Sequence, residues 1–318
     1  MCCRLGQFLR HPSRRGKTPA ERVWRLCILL TPFMVYPALS LPAQLPSPVL
    51  VGAGDIAVCG SSQSEATAKL IDNIDGSVFT VGDHAYASGK ASEFLQCYDP
   101  TWGRHLKRTH PAPGNHDYGT PDAGPYFKYF RGNAGPVGGG YYSYNLGAWH
   151  IITLNSNRSA RSWGAAQEDW LIKDLTANPT TCTLGYWHHP RYSSGKNHGD
   201  HPHMQNLLKI LYEHGADVVI AGHDHIYERF APQNPDGKAD PLGIRQFIAG
   251  TGGADLYKIG TIKANSEVRN NTAHGVLKFT LHPTSYVWEF IAVPGQKFSD
   301  SGTAQCSTQK TDKRRRHG

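Results

Sequence analysis

Five short polar clusters contain the side chains of this sequence that could do chemistry, and each has a glycine or proline beside its donor residues. Glycine and proline set tight turns, so each cluster can present its donors in a fixed direction. Several clusters follow apolar, strand-like runs, the place where α/β proteins build active sites. The clusters are GD at 54–55, GDHAY at 82–86, GNHD at 114–117, HHP at 188–190 and GHDH at 222–225.

The donor types in these clusters suit a pair of adjacent metal ions. A carboxylate can bridge two cations, imidazole is a common nitrogen ligand of zinc, iron and manganese, and an amide oxygen adds a neutral donor. Two cations about 3.5–4 Å apart can activate a water and stabilise an in-line displacement at phosphorus. The ordered set therefore predicts a binuclear metal centre. A single Gly-Asp or Gly-Asn pair, taken alone, would be no more than a turn or a helix cap.

The order and spacing of the clusters resemble the calcineurin-like metallophosphoesterase family from Val49 to about Phe290. That family typically shows D-x-[H/G], GD-x-x, GNH-[D/E], an isolated His and GH-x-H. Within it, the chain is most similar to the purple acid phosphatase branch. Tyr86 matches a tyrosine that binds ferric iron in that branch, and Ala57 stands where other members often have a histidine. A packing role is the alternative for Tyr86.

The resemblance implies two metal sites that share one carboxylate. The ferric site would be held by Asp55, Asp83, Tyr86 and His225. The second site would be held by Asp83, Asn115, His188 and His223. Iron, zinc and manganese all suit the second donor set, so its metal stays open.

The resemblance also implies a mechanism, in which a metal-bound hydroxide attacks phosphorus directly and in line, without a phosphoenzyme. His116 would stabilise or protonate the leaving group, and His198 would be a second catalytic donor to the substrate. Asp117 and Asp224 would orient neighbouring imidazoles or loops. The expected activity is that of an acid phosphomonoesterase. A phosphodiesterase of the same fold, acting on a cyclic nucleotide or another diester, is the alternative, and a binding protein without turnover is the third possibility.

Strand-like runs alternate with helical periodicity before the chain becomes rich in strands, which predicts an α/β protein with packed sheets. The resemblance specifies a β-sandwich of two mixed sheets flanked by helices, with the active site at the sheet edge. Helices are expected at Glu65–Ile74, Trp163–Leu175 and His203–Gly215. Strands are expected at Val49–Ala53, Val78–Val81, Tyr141–Tyr144, His150–Asn155, Thr183–Trp187, Val218–Ala221, Ile244–Ala249, Val276–Leu281 and Tyr286–Ala292.

The N-terminal 40 residues read as a secretory signal peptide, because a basic stretch precedes a short apolar run and small residues. With cleavage near Ser40, residues 41–47 would be a linker, 48–295 the metallophosphoesterase domain, and 296–318 a tail that is basic and disordered at its end. The protein would be secreted or periplasmic. No other run is long and apolar enough to form a transmembrane segment in the mature chain.

Net charge and cysteine content refine this picture. The two ends together carry more positive charge than the formal net charge of +8, and the residues between them are close to neutral. The expected partner is therefore a small phosphate ester and no nucleic acid. Cleavage would leave four cysteines, an even number that favours two disulfides in an exported protein. Three pairings are possible, and closeness to one predicted site favours Cys59 with Cys97.

Overall fold

The computed structural model describes residues 47–160 and 163–307, in which two β-sheets pack face to face. The first sheet has six strands in the spatial order β13 (Ser299–Gln305), β12 (Ser285–Ala292), β11 (Gly275–Leu281), β1 (Val49–Ala53), β2 (Ser77–Val81) and β3 (Thr109–Ala112). The second has seven, in the order β10 (Ser266–Asn270), β8 (Tyr227–Phe230), β9 (Arg245–Ala249), β7 (Val218–Ala221), β6 (Cys182–Tyr186), β5 (Trp149–Thr153) and β4 (Tyr142–Leu146).

Both sheets are mixed, with parallel strands at the centre of the fold and antiparallel strands beside them. β1, β2 and β3 are parallel to one another, as are β5, β6, β7 and β9. Most of these strands are buried on both faces, which explains their continuous apolar runs. The inner faces meet in a core of large, fully buried side chains that includes Phe79, Trp149, Phe247 and Phe279.

Helices cover the outer face of each sheet. They are α1 (Gln63–Asp72), α2 (Ala91–Glu93), α3 (Gly124–Phe130), α4 (Ala165–Ala177) and α5 (Gln205–Glu213). A π-helical turn at Phe94–Tyr98 follows α2, and 3₁₀ turns lie at Trp102–Arg108, Asp117–Gly119, Pro121–Ala123, Arg131–Ala134 and Pro202–Met204. Ile71 of α1 and Tyr126 of α3 pack on the first sheet, while Leu171 of α4 and Leu207 of α5 pack on the second.

The structure confirms the predicted fold of two mixed sheets flanked by helices. Each strand and helix expected from the sequence is present, with ends that differ by a few residues. The expected tail from residue 296 needs correction, because Ser299–Gln305 forms β13 and pairs along β12. This strand is polar and contains no apolar alternation that would indicate it. β3, β8 and β10 were also not expected.

The predicted signal peptide, its cleavage near Ser40 and the basic end of the tail lie outside the described residues. Within residues 47–160 and 163–307, no helix has both the length and the apolar character needed to cross a membrane.

Two disulfides join distant parts of the chain. Cys59 pairs with Cys97, as proximity to the site favoured, with Cα atoms 4.9 Å apart. Cys182 of β6 pairs with Cys306, just after β13, with Cα atoms 5.4 Å apart. The second bond therefore links the two sheets directly.

Candidate metal centre

The polar clusters lie at one edge of the sandwich because each follows the carboxyl end of a central strand. Asp55 follows β1, Asp83 follows β2, and Asn115 follows β3. The second sheet contributes in the same way: His188 follows β6, and His223 and His225 follow β7. Parallel neighbours end at the same edge, so side chains separated by up to 170 positions in sequence come together.

The turns after these strands have a backbone conformation that aims the donors inward. Asp55, Asp83 and His223 have φ values of +58°, +54° and +70°, the left-handed region that residues other than glycine rarely adopt. Gly114 is required for a different reason: a Cβ there would overlap the Asp83 carboxylate. Strain of this kind persists where surrounding structure holds it, and it concentrates at functional sites.

One group of donors surrounds the Tyr86 hydroxyl. This oxygen lies 3.1 Å from Asp55 Oδ1, 3.3 Å from Asp83 Oδ2 and 3.1 Å from His225 Nε2. His225 Nε2 is in turn 3.4 Å from Asp55 Oδ1. These are the four residues expected at the first metal site.

A second group of donors surrounds Nε2 of His188. This nitrogen lies 2.9 Å from Asn115 Oδ1, 3.1 Å from His223 Nδ1 and 3.2 Å from Asp83 Oδ2. Asp83 Oδ2 therefore contacts both groups, and the two groups meet at this one oxygen. The seven expected ligands form one pocket.

The chemistry of the donor set fits metal ions. His188 Nδ1 donates to the Val81 carbonyl at 2.7 Å, and His225 Nδ1 donates to the Asp255 carbonyl at 2.7 Å. In a neutral ring these bonds leave Nε2 without a proton, so its lone pair faces the centre. Three further groups then lie close to His188 Nε2: an amide oxygen, a carboxylate oxygen and a second imidazole nitrogen. There are too few hydrogen atoms among these groups for each acceptor to receive a hydrogen bond. A cation satisfies such a set of acceptors.

Burial and neighbouring charges act in opposite directions on the pKa values of His188 and Asp55, and in the same direction on the pKa of Tyr86. Burial opposes the charged form of His188, but the charge and hydrogen bond of Asp83, with the charge of Asp55, raise its pKa to about 9. Burial likewise opposes charge on Asp55, but His225 lowers the pKa of this carboxyl. Burial, followed by the charges of Asp55 and Asp83, raises the pKa of Tyr86 well above its usual value. Without a bound cation, protonated imidazoles therefore balance the negative charge of the carboxylates.

The two expected catalytic histidines lie beside this pocket on opposite flanks. His116 donates its backbone N–H to Asp83 Oδ1 at 2.8 Å and its Nδ1–H to the Ala87 carbonyl at 2.5 Å. Its half-buried ring packs on Tyr86, with centroids 4.4 Å apart. His198 lies on an exposed loop, and its ring is 4.0 Å from that of His223.

The two other expected aspartates hold the surrounding loops. Asp117 accepts from the backbone N–H groups of Asp83 and Gly114, and its carboxylate lies 2.9 Å from Nδ1 of the fully buried His84. Asp224 accepts from the Ser193 hydroxyl and from the N–H of Gly199, and so fixes the loop that carries His198.

Three residues beside the centre, Tyr257, His189 and His201, were not predicted from the sequence. The Tyr257 ring stacks on His225 with centroids 3.9 Å apart. His189, next to a ligand in the HHP cluster, pairs with the Ser156 hydroxyl at 2.7 Å and packs 4.4 Å from the His223 ring. His201 packs 4.7 Å from the same ring. Only His189 had a sequence signal, its position in the motif; Tyr257 and His201 lie in loops without one.

Comparison with known proteins agrees with this geometry. The calcineurin-like phosphoesterase family model matches residues 49–227, which is more than half of the chain. The protein belongs to this family. The matched residues include β1, β2 and β3 of the first sheet, β5, β6 and β7 of the second, and all seven expected donors.

Individual relatives point to the expected branch. Purple acid phosphatase 15 of Arabidopsis thaliana is 27% identical over 251 residues, which cover 68% of this chain and 46% of that protein. A nucleotide pyrophosphatase/phosphodiesterase of Hordeum vulgare is 25% identical over 293 residues, covering 79% of this chain and 78% of that protein. The purple acid phosphatase from yellow lupin (Lupinus luteus) seeds shares the fold, with a TM-score of 0.69 at 19% identity over 85% of this chain and 56% of that one. The chain thus spans about half of the purple acid phosphatases that it matches.

Proposed function

We propose that this protein is a binuclear metal-dependent phosphomonoesterase similar to the purple acid phosphatases. The observation that supports this most is the position of Asp83 Oδ2, which lies 3.3 Å from the Tyr86 hydroxyl and 3.2 Å from His188 Nε2. A single carboxylate oxygen in contact with two separate donor groups suits a bridge between two cations, and a bridging carboxylate lowers their mutual repulsion.

We assign the donor groups to two ions. Ferric iron would occupy the site of Asp55, Asp83, Tyr86 and His225, because a phenolate is a hard anionic ligand and a trivalent ion best offsets the raised pKa of Tyr86. Iron, zinc or manganese would occupy the site of Asp83, Asn115, His188 and His223. When bound, the ions would activate a water for attack and stabilise the negative charge that develops around phosphorus.

The two histidines that flank the metal pocket, His116 and His198, would act on the bound substrate. His116 would transfer a proton to the leaving oxygen as its bond to phosphorus breaks, because its Nε2 faces the pocket while Nδ1 is held by the Ala87 carbonyl. His198 would donate to a phosphate oxygen from the opposite side. Its loop is anchored on Asp224, so this donor is held in place.

We also propose that the protein acts outside the cytoplasm, either secreted or periplasmic. Two disulfides support this, because such bonds persist mainly in oxidising compartments.

The second candidate is a phosphodiesterase. The relative from Hordeum vulgare named for that activity is matched over 78% of its length, and the same donors would serve either reaction. The choice between a phosphomonoesterase and a phosphodiesterase depends on whether the metal pocket accepts a phosphorus atom that carries a second ester group.

One set of measurements tests the proposal. The full chain is loaded with ferric iron and zinc, and hydrolysis of 4-nitrophenyl phosphate and bis(4-nitrophenyl) phosphate is compared from pH 4 to 9. We expect faster monoester hydrolysis, two bound metal ions per chain, and a visible tyrosinate-to-iron absorption band that Tyr86→Phe abolishes. Faster diester hydrolysis would favour the second candidate. A loaded protein that cleaves neither ester would overturn both.

A further inference from the structure

A large cavity has Tyr118, two residues after His116, in its wall. Its volume is about 780 Å³, well within the usual range for small-molecule sites. Apolar and aromatic side chains make up much of its wall, with Tyr118, Phe127, Val137 and Tyr141 among them. We call this cavity the aryl pocket.

Covalent and hydrogen-bonded links join the aryl pocket to the catalytic residues. Tyr118 is two residues after His116 and three after the expected ligand Asn115. The Asn155 amide donates to the Tyr118 hydroxyl at 2.8 Å and to the Gly139 carbonyl at 2.9 Å, which joins two lining residues from separate segments of the chain. Ser156, which follows Asn155 in the sequence, forms a hydrogen bond with His189 beside the expected metal ligands. The wall of the aryl pocket is therefore tied to the metal site through Tyr118 and through Asn155 and Ser156.

Two features of the aryl pocket are energetically unfavourable for the folded protein. Asp122 and Ala123 both have left-handed backbones, with φ values of +53° and +51°, just before α3. Val137, which also lines the cavity, is 85% exposed and lies on the glycine-rich segment 135–140. Backbone strain concentrates at functional sites, and the exposed Val137 adds to the apolar surface of this cavity.

We propose that the aryl pocket receives the alcohol part of the phosphate ester and thereby favours aromatic esters over small polar ones. This rests on the proposed phosphatase function. Hydrolysis would join a water oxygen to phosphorus and break the bond to the aryl oxygen, which keeps the electron pair and takes a proton. His116 would act on that oxygen, and Tyr118, two residues further on, would contact the ring attached to it. The aromatic lining offers offset or edge-to-face contacts to such a ring.

The test compares 2-naphthyl phosphate with glycerol 2-phosphate as substrates of the metal-loaded full chain. The readout is the ratio of the two kcat/KM values, so a general loss of active protein cancels. We expect Val137→Ser to lower the ratio about threefold and Tyr141→Ala to lower it about tenfold, from the loss of apolar contact with the ring. Val137 is so exposed that its substitution leaves the fold intact.

Leu95→Ser is the matched control, because Leu95 is also exposed, at 64%, but lines a different cavity. Its ratio should equal that of the wild type. A ratio unchanged in both pocket variants, or lowered equally by Leu95→Ser, overturns the proposal.

A binding measurement separates this inference from the proposed function. 2-Naphthol fluorescence is titrated with metal-free full chain, which needs no turnover. Weaker binding in Val137→Ser and Tyr141→Ala supports the aryl pocket even if the wild type hydrolyses no ester, a result that would count against the phosphatase proposal alone. Absence of 2-naphthol binding to the wild type overturns the pocket.

Discussion

Asp83 has contacts on every side that fix its carboxylate. Oδ2 contacts both donor groups, and Oδ1 accepts the N–H of His116. The backbone N–H of Asp83 is held by Asp117, which also holds Gly114. One residue therefore positions the two expected metal sites and the expected general acid relative to each other.

This geometry predicts the effect of Asp83→Asn. Asn tolerates the left-handed backbone of position 83, so the fold should be kept while the bridging charge is lost. We expect metal content to fall from two ions per chain to none, with an unchanged circular dichroism spectrum. Asn115→Ala should remove only the second ion, and Asp75→Asn, on an exposed turn, should remove neither. Retention of both ions by Asp83→Asn would contradict the bridge.

The position of His116 predicts a substrate-dependent loss of rate. His116→Asn should lower kcat by about 10²–10⁴-fold for an alkyl phosphate, because loss of a general acid costs that much. The loss should be much smaller for 2,4-dinitrophenyl phosphate, whose leaving group needs no proton. Measured kcat values for the two esters decide the matter: equal losses would show that His116 acts in some other way.

At the level of elements, apolar runs identified the apolar strands but missed the polar ones and the short buried strands β3 and β8. β1, β2, β6 and β7 are apolar runs buried on nearly every residue, and the sequence predicted them and the donors that follow them. β13 has the sequence SDSGTAQ, so neither its edge position nor its pairing had an apolar signal. β13 is attached by backbone pairing with β12 and by side chains of other strands, neither of which a local pattern contains.

Asp300 provides much of that attachment for β13. Its carboxylate accepts from Arg229 Nε at 2.7 Å, from the Tyr227 hydroxyl at 2.7 Å and from Trp288 Nε1 at 3.1 Å. Burial opposes its charge, but these hydrogen bonds and the charge of Arg229 lower the pKa of Asp300 below its usual value. Because folding lowers the pKa of Asp300, the stabilisation that its carboxylate provides is fully present above the unfolded pKa. This stabilisation is lost as the pH falls through the folded pKa.

Asp300→Asn should therefore destabilise the protein in a pH-dependent way. We expect a loss of about 1.5–3 kcal/mol in the free energy of unfolding at pH 7, the usual worth of hydrogen bonds to a charged group. The difference from the wild type should narrow below about pH 4, near the unfolded pKa of aspartate. Urea denaturation at several pH values measures it. Glu289→Gln, which alters an exposed pair with Lys278 on the adjacent strand, should change stability by less than about 1 kcal/mol at each pH.

At the scale of the whole molecule, the order of the five motifs along the chain predicted more of the structure than local apolar patterns could. They predicted the fold class, which the structure confirms, and seven donors, which the structure brings together in one pocket at the ends of core strands. The stacking of Tyr257 on His225 and the pairing of His189 with Ser156 could not be predicted in this way. These contacts join loops that are distant in sequence, and they exist only after the two sheets have packed.

The donor set also connects the two sheets. Asp55, Asp83 and Asn115 follow strands of the first sheet, whereas His188, His223 and His225 follow strands of the second. Ions bound between them would hold both sheets at their shared edge. Because the unfolded chain has no such site, bound metal stabilises the folded state, by about 2.7 kcal/mol when free metal is 100 times the dissociation constant.

Metal removal should therefore lower the Tm, and the size of the effect should depend on pH. Metal must displace protons from imidazoles, so binding strengthens as the pH rises. In the metal-free protein, His188 has a pKa of about 9, so its contribution to stability is complete below about pH 6.5 and is lost as the pH rises toward 9. The Tm difference between loaded and chelated protein should thus widen from pH 6 to pH 8. Thermal melts at these pH values measure it, with Asp83→Asn as a control that should show no difference at either. A gap that narrows with rising pH would mean that the imidazoles at this edge bind no metal in the folded protein.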